Sequence, residues 1–542
     1  MKKQIFLSFT LQSLAILALS SSFAVAARPN ILLILADDLG FTDLGAYGGE
    51  IETPNLDSIA EQGIRFSQFY NTGRCWPTRS SLLTGYYPQQ IKRDNLPTIK
   101  QGIRPNWAVL LPKALKPAGY RSYHTGKWHI DGMPIENGFD RSYYLQDQGR
   151  FFNPIIHYED DVKLPAVEKN SGYYSTTALA DHAIKVLSEH ATDHAEKPFF
   201  HCLAFAAPHF PLHALPEDIS IYKNRYNKGW DTLRTERWKR LQQLGVLSKT
   251  SGKTPSATER ELGPPYSFPK ALKTLGPSEV NKAYPWNSLT EEQKIFQSSK
   301  MEIHAAIIHR MDIEIGRVFD QIKSMGQWDN TLVMFLSDNG ASAEIMVRDD
   351  GHDPKASPGS AATYLCLGPG WSTSSNTPFR RHKTWTHEGG ISTPFIASWP
   401  KGIKARGEYR RTPLHVIDVV PTILELTGAT RLDRAPTAPG ISFSSVFEKD
   451  GNVEHESIWW FHEGHKALRM GDWKAVALKG GNWELYSLKN DRIESIDLAK
   501  EYPEKLSNMV AIWDKNVADL TELVKKRFEE KIVFQGRGAF GL

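Results

Sequence analysis

Two pairs of oxygen-bearing side chains, Asp37-Asp38 and Asp338-Asn339, stand far apart in this 542-residue chain. Each closes an apolar run: Ile31–Ala36 leads into the first, and Leu332–Leu336 with Ser337 into the second. Together they offer only oxygen donors, the preference of a hard cation such as Ca2+ or Mg2+. A lone Asp-Asp reads as a helix N-cap, but two such clusters, each ending an apolar strand, favour a metal site. A third polar cluster, Ala207-Pro208-His209, ends the apolar run Phe199–Phe205. Cys75 is the chemically distinctive cysteine, because it lies in a polar loop flanked by arginines. Cys202 and Cys366 lie in apolar runs, where free cysteine packs as a small, inert hydrophobe.

The elements that must position these groups alternate between apolar strands and helix-like segments, which predicts an α/β fold with a large, mixed, mostly parallel sheet sandwiched by helices. Pro394–Trp399 is a further strand candidate. Helical spacing covers Asn55–Gly63, Ala108–Gly119, Thr176–Ala191 and Ile303–Met325. In open α/β sheets ligand sites lie beyond the carboxyl ends of the strands, so the three polar clusters are expected to converge. From about Leu212 to Ser298 the periodicity dissolves, and the segment reads as a long surface insertion bordering the site. Beyond Ile441, the runs Ile458–Phe461, Ala467–Met470, Trp473–Leu478 and Trp483–Leu488 predict a smaller C-terminal antiparallel sheet, closed by a helix over Glu501–Lys526. The expected division is residues 1–26 as a leader, 27–440 as the catalytic domain and 441–542 as an α+β subdomain.

Cys75-Trp76-Pro77-Thr78-Arg79, with Thr84-Gly85 after it and Asn71-Thr72-Gly73 before it, resembles the signature C-x-P-x-R…T-G of the formylglycine-dependent sulfatases. Gly126-Lys127-Trp128-His129 resembles that family's second signature. Arg28-Pro29-Asn30 leading to Asp37-Asp38, Pro208-His209, Ser337-Asp338-Asn339-Gly340 and Lys383…Glu388-Gly389-Gly390 follow in family order. The resemblance runs from about Arg28 to Asp497 and implies an alkaline-phosphatase-like fold.

It also implies a mechanism. A separate maturing enzyme oxidises Cys75 to formylglycine (3-oxoalanine), whose hydrated aldehyde supplies the nucleophile. Asp37, Asp38, Asp338 and Asn339 hold one Ca2+, with position 75 as a further ligand. Arg79 orients the diol, and Lys127 and Lys383 bind sulfate oxygens and neutralise developing charge. His129 positions the diol and takes its proton, while His209 protonates the leaving alcohol. Ser80–Leu83 are expected to begin a helix whose N-terminus favours oxyanions. Asn339 argues against the two-zinc relatives of the superfamily, which typically carry Asp-His there, because zinc favours imidazole nitrogen. His124, His213, His387 and Arg348 carry weaker signals.

Lys2 and Lys3, an apolar stretch from Ile5 to about Leu19 and Ala24-Val25-Ala26 predict a cleaved secretory leader. The expected location is therefore periplasmic or extracellular, with no membrane insertion. A formal net charge of +4 gives no argument for nucleic acid. Three readings stand at this point: hydrolysis of aryl or, by preference, carbohydrate sulfate esters; hydrolysis of phosphonate or phosphate esters; and non-catalytic carbohydrate binding. The partners implied by the first are a sulfated small molecule or a sulfated oligo- or polysaccharide.

Overall fold

The computed structural model describes residues 28–247, 269–348, 351–431 and 435–528. The leader predicted over residues 1–26 lies outside them. The large sheet comprises β1 (Asn30–Ala36), β2 (Ile64–Tyr70), β3 (Arg121–Gly126), β4 (Arg141–Leu145), β5 (His157–Glu159), β6 (Val162–Lys163), β7 (Phe199–Ala204), β8 (Thr331–Ser337), β9 (Ser392–Ser398), β10 (Glu408–Arg410) and β11 (Leu414–His415). The order is β10-β2-β9-β8-β1-β7-β3-β4-β5-β6, with β11 beside β2. β8, β1, β7, β3 and β4 run parallel. β9 is antiparallel to both its neighbours.

The continuous apolar run of β1 is explained by what covers it. Leu32, Ile34 and Ala36 enter one core, and Ile31, Leu33 and Leu35 enter the other, so both faces are buried. The helices Ser175–Asp193 and Glu291–Ser324 pack on the first face. The helices Cys75–Thr84 and Val419–Thr427 pack on the second.

A separate four-stranded antiparallel sheet follows, β12 (Ile458–His462), β13 (His465–Met470), β14 (Trp473–Ala477) and β15 (Trp483–Ser487). Here alternation decides the packing. Trp459, Phe461, Leu468 and Leu485 face Met509, Trp513 and Leu520 of the closing helix Pro503–Phe528. Ile458, Trp460, Ala467 and Val476 face Tyr70 and Ile391 of the large-sheet body. Phe443, Val446 and Phe447 pack in the core of the large sheet rather than with the second sheet.

The region expected to be an aperiodic insertion differs most from its sequence reading. It carries helices at Pro216–Ile221, Gly229–Leu244 and Pro269–Leu275, and the Glu291–Ser324 helix starts well before Ile303. Gly229–Leu244 buries Trp230, Leu233, Arg234, Arg237, Trp238 and Leu241, a helical spacing hidden because two of its inward members are arginines. Arg237 pairs with Asp43 at 2.7 Å and Glu50 at 2.8 Å. Asp43 in turn accepts the Gly40 amide at 2.9 Å, so this helix buttresses the loop that follows Asp38.

Candidate active site

The parallel strands deliver their polar termini to one edge. Their ladder runs on past the strands: the amide of Asp37 donates to Ala207 O, that of Asp338 to Ala36 O and that of Lys127 to Ala204 O, at 2.8–3.1 Å. The three clusters predicted to converge do so, and residues 127–129 join them. Asp38 Oδ1 accepts from Asn339 Nδ2 at 2.7 Å. Lys383 Nζ lies 2.8 Å from Asp38 Oδ1, and His209 Nε2 lies 3.6 Å from Oδ2. Arg79 Nε donates to Asp338 Oδ2 at 2.8 Å, and its Nη1 donates to Lys127 O at 2.8 Å. Lys127 Nζ pairs with Asp37 Oδ2.

Two buried acceptors in this cluster, Asp37 Oδ1 and Asn339 Oδ1, have no hydrogen-bond partner among the described residues. An orphaned buried acceptor costs about 1–3 kcal/mol, and two oxygens of this kind among carboxylates suit a hard cation. One ligand atom each from Asp37, Asp38 and His209 lie within 4.8 Å of one another.

Cys75 begins its helix instead of preceding it, so the helix starts five residues earlier than Ser80, where sequence placed it. The Thr72 and Thr78 hydroxyls, 2.8 Å apart, pin the first turn to the preceding loop. Gly85 ends the helix at φ +74°, with its amide on Ser81 O at 2.7 Å. Cys75 is buried, and burial pushes its thiol up although Lys127 and Lys383 pull the other way.

The electrostatics divide the two inner carboxylates. Burial works against a charged Asp37, but Lys127, His209, Arg79 and Lys383 overcome it and hold the carboxyl well below the usual range. Burial and the neighbouring Asp37 charge push Asp338 up. Burial would discharge Lys383, but Asp38 and Glu344 hold its ammonium protonated. Burial brings His209 down to about 4, and burial with Lys127 and Arg79 brings His129 well below its usual value. Four non-glycine residues at or beside the site have positive φ: Asp38 (67°), His129 (58°), Arg381 (66°) and Thr384 (90°). Such conformations cost about 1–3 kcal/mol each and persist where packing over-determines them.

Sequence reasoning missed Glu344, which is fully buried, 3.2 Å from Lys383 Nζ and 3.2 Å from Arg74 Nη2. Its signal was an acid inside the otherwise small and apolar stretch Ala341–Met346. It also missed Trp76, whose ring meets His129 at 5.9 Å and His462 at 5.6 Å, edge to face. Of the weaker candidates, His124 lies beside Arg79 and Lys127, and the others have partners elsewhere or face solvent. His124 bonds Ser142, His213 bonds Thr363 O, His387 bonds Glu484, and Arg348 is exposed. Cys202 and Cys366 are buried thiols, both pushed up to about 12 by burial.

Buried carboxylates at the carboxyl edge of the parallel strands, beside the first turn of the Cys75–Thr84 helix and two buried lysines, make a centre suited to an anionic ester. The chain belongs to the sulfatase family, whose model, described as Sulfatase, matches residues 29–429. An arylsulfatase of Klebsiella aerogenes is 33% identical over 471 residues, covering 80% of this chain and 94% of its own. An N-acetylglucosamine-6-O-sulfatase of Bacteroides thetaiotaomicron is 25% identical over 574 residues, covering 94% and 89%. The solved structure of Ps i-CgsB in complex with k-i-k-neocarrahexaose has a TM-score of 0.65 at 24% identity, covering 93% of this chain and 98% of the other. The protein is therefore a sulfuric ester hydrolase with the fold expected from sequence.

Proposed function

We propose that this chain hydrolyses carbohydrate sulfate esters at a centre built from Cys75, oxidised to formylglycine by a maturing enzyme, and one Ca2+ held by Asp37, Asp38, Asp338 and Asn339. The observation that carries the reading is the pair of unpartnered buried oxygens, Asp37 Oδ1 and Asn339 Oδ1, in a cluster that also holds Lys127, Lys383 and His209. When present, the cation supplies Lewis acidity and the oxidised side chain a hydroxyl nucleophile, a role that a buried thiol kept protonated fills poorly.

The chain's own residues do the rest. Lys127 and Lys383 are fixed by Asp37 and by Asp38 with Glu344, so both ammonium groups are preorganised to bind sulfate oxygens and to meet charge that develops as the ester bond breaks. Arg79, held by Asp338 and the Lys127 carbonyl, sits one helical turn from position 75 and orients it. His209 Nδ1 bonds Phe210 O at 2.5 Å, which aims Nε2 at the cluster. An anionic ester arriving beside that nitrogen favours the imidazolium, which donates its Nε2 proton to the departing alcohol oxygen. His129, beside Trp76, serves the proton transfer at position 75.

The carbohydrate preference is supported by the N-acetylglucosamine-6-O-sulfatase relative and by the neocarrahexaose complex of the structural neighbour. The leader predicted over residues 1–26 supports export, where sulfated polymers are met, and among the described residues no helix is long and apolar enough to cross a membrane. Rates on 4-nitrophenyl sulfate, 4-nitrophenyl phosphate and phenylphosphonate monoesters test the reading. Sulfate is expected to be the best substrate; a higher kcat/KM for phosphate or phosphonate would replace it with the phosphoryl reading.

A further inference from the structure

Loops that leave the same sheet edge as the catalytic cluster also enclose a cavity of about 980 Å3. Phe152 and Asn153 come from the loop after β4, Lys169 and Tyr173 from the connection after β6, and His352 and Asp353 from the loop after β8. One wall is Ala214–Pro216, and Ala214 follows His209 by a chain contour of about 18 Å at most. The cavity is therefore within reach of a few linked rings from the catalytic histidine.

Two of its walls are tied to each other by the backbone. The amide of Ala214 donates to Gly359 O at 3.0 Å and that of Leu212 to Leu365 O at 2.8 Å, tying two of the loops together. Tyr173 is partly exposed, with its hydroxyl 2.8 Å from that of Tyr143. Phe152 is braced by Tyr174 at 5.1 Å and His213 at 5.7 Å between ring centroids. The lining thus joins braced aromatic rings to exposed Lys169 and Asp353 and to the Asn153 amide. An acyl chain would be poorly served by those charges. Sugar rings, with apolar C–H faces and hydroxyl edges, match both kinds of group. The volume lies at the upper end of the usual range for ligand sites, about 300–1,000 Å3.

We propose that this cavity is a glycan subsite that binds sugar rings flanking the esterified one, so that the enzyme acts on sulfated oligosaccharides in preference to sulfated monosaccharides. The inference rests on the carbohydrate-sulfatase reading above. The test uses the mature, Ca2+-loaded enzyme with 4-nitrophenyl sulfate and with matched mono- and hexasaccharides from carrageenan, chondroitin sulfate and heparin. For the glycan that is cleaved, kcat/KM should rise at least about tenfold from mono- to hexasaccharide, the effect of one good subsite contact. That ratio should fall toward one in Lys169→Ala and in Tyr173→Ala; the first is an exposed position, which keeps the test valid if the second misfolds. Equal kcat/KM for the two lengths, or variants that lower both equally, overturns the subsite. Turnover of 4-nitrophenyl sulfate with none of the glycans cleaved overturns the subsite and leaves the sulfatase. No turnover of any sulfate overturns both readings.

Discussion

Lys474 of the second sheet places its Nζ 2.9 Å from Glu388 Oε1 of the large-sheet body, with both side chains fully buried. Glu388 lies five residues after Lys383; Tyr70 and Ser392 of the large-sheet body donate to its Oε2 at 3.1 and 3.0 Å, and its charged partners come from the C-terminal region. Arg492 Nε reaches its Oε2 at 2.6 Å, and Glu494 accepts its amide at 3.0 Å while pairing with Lys474 at 2.8 Å. Arg380 Nη1 bonds Tyr486 and Glu494 O, each at 2.8 Å, and Thr386 bonds Lys466 O at 3.0 Å. The loop that presents Lys383 is thus built on the second sheet.

Glu388→Gln should therefore cost both stability and catalysis. Removing one partner of a buried charge set leaves the others uncompensated, at about 3–5 kcal/mol. Denaturant unfolding should show that loss, and kcat/KM should fall as Lys383 loses its anchor. A variant as stable and active as the parent would show that the second sheet does not position the loop.

The same residue sets an acid limb. Burial disfavours a charged Glu388, yet Lys474 and Arg492 hold its carboxyl below the ordinary value. A carboxylate depressed in the folded state contributes stability above its unfolded value, about 4.3, and that stability is lost as pH falls below it toward the folded value. Tm of the parent should drop more steeply below pH 4.3 than Tm of Glu388→Gln, measured by calorimetry across the same buffers.

Lys383→Met should lower kcat/KM for 4-nitrophenyl sulfate by about 10²–10³, the usual cost of removing one oxyanion partner. Steady-state kinetics on folded protein would show it, and a loss under threefold would place Lys383 outside the sulfate pocket.

His209→Ala should discriminate by leaving group. General acid catalysis is worth about 10²–10⁴, and it matters most where the departing alcohol is a strong base. The variant should lose far more on a sugar sulfate than on 4-nitrophenyl sulfate. Equal losses would remove His209 from proton donation.

Chelation should lower both activity and Tm, because a ligand bound only by the folded state stabilises it. Added Ca2+ should restore both, and Zn2+ should not, since Asp37, Asp38, Asp338 and Asn339 offer oxygen alone.

Much of the site was legible because its chemistry sits at strand ends. Ile31–Ala36 and Leu332–Leu336 declare themselves by continuous apolarity, and Asp38 and Asn339 follow where a parallel sheet must place them. What stayed hidden depends on pairing that hydropathy does not register. Arg234 and Arg237 occupy core-facing positions because Asp43 and Glu50 pair with Arg237 and the backbone carbonyls of Thr373 and Pro378 accept from Arg234, which disguised a helix as a loop. Glu344 joins the cluster only because Lys383 and Arg74 arrive from distant segments.

The most direct measurement is the mass of the tryptic peptide Cys75–Arg79 from protein purified in its active form. The expected peptide is about 18 Da lighter than the cysteine form, the signature of thiol-to-aldehyde oxidation. A fully unmodified Cys75 in protein that still turns over sulfate esters would contradict it.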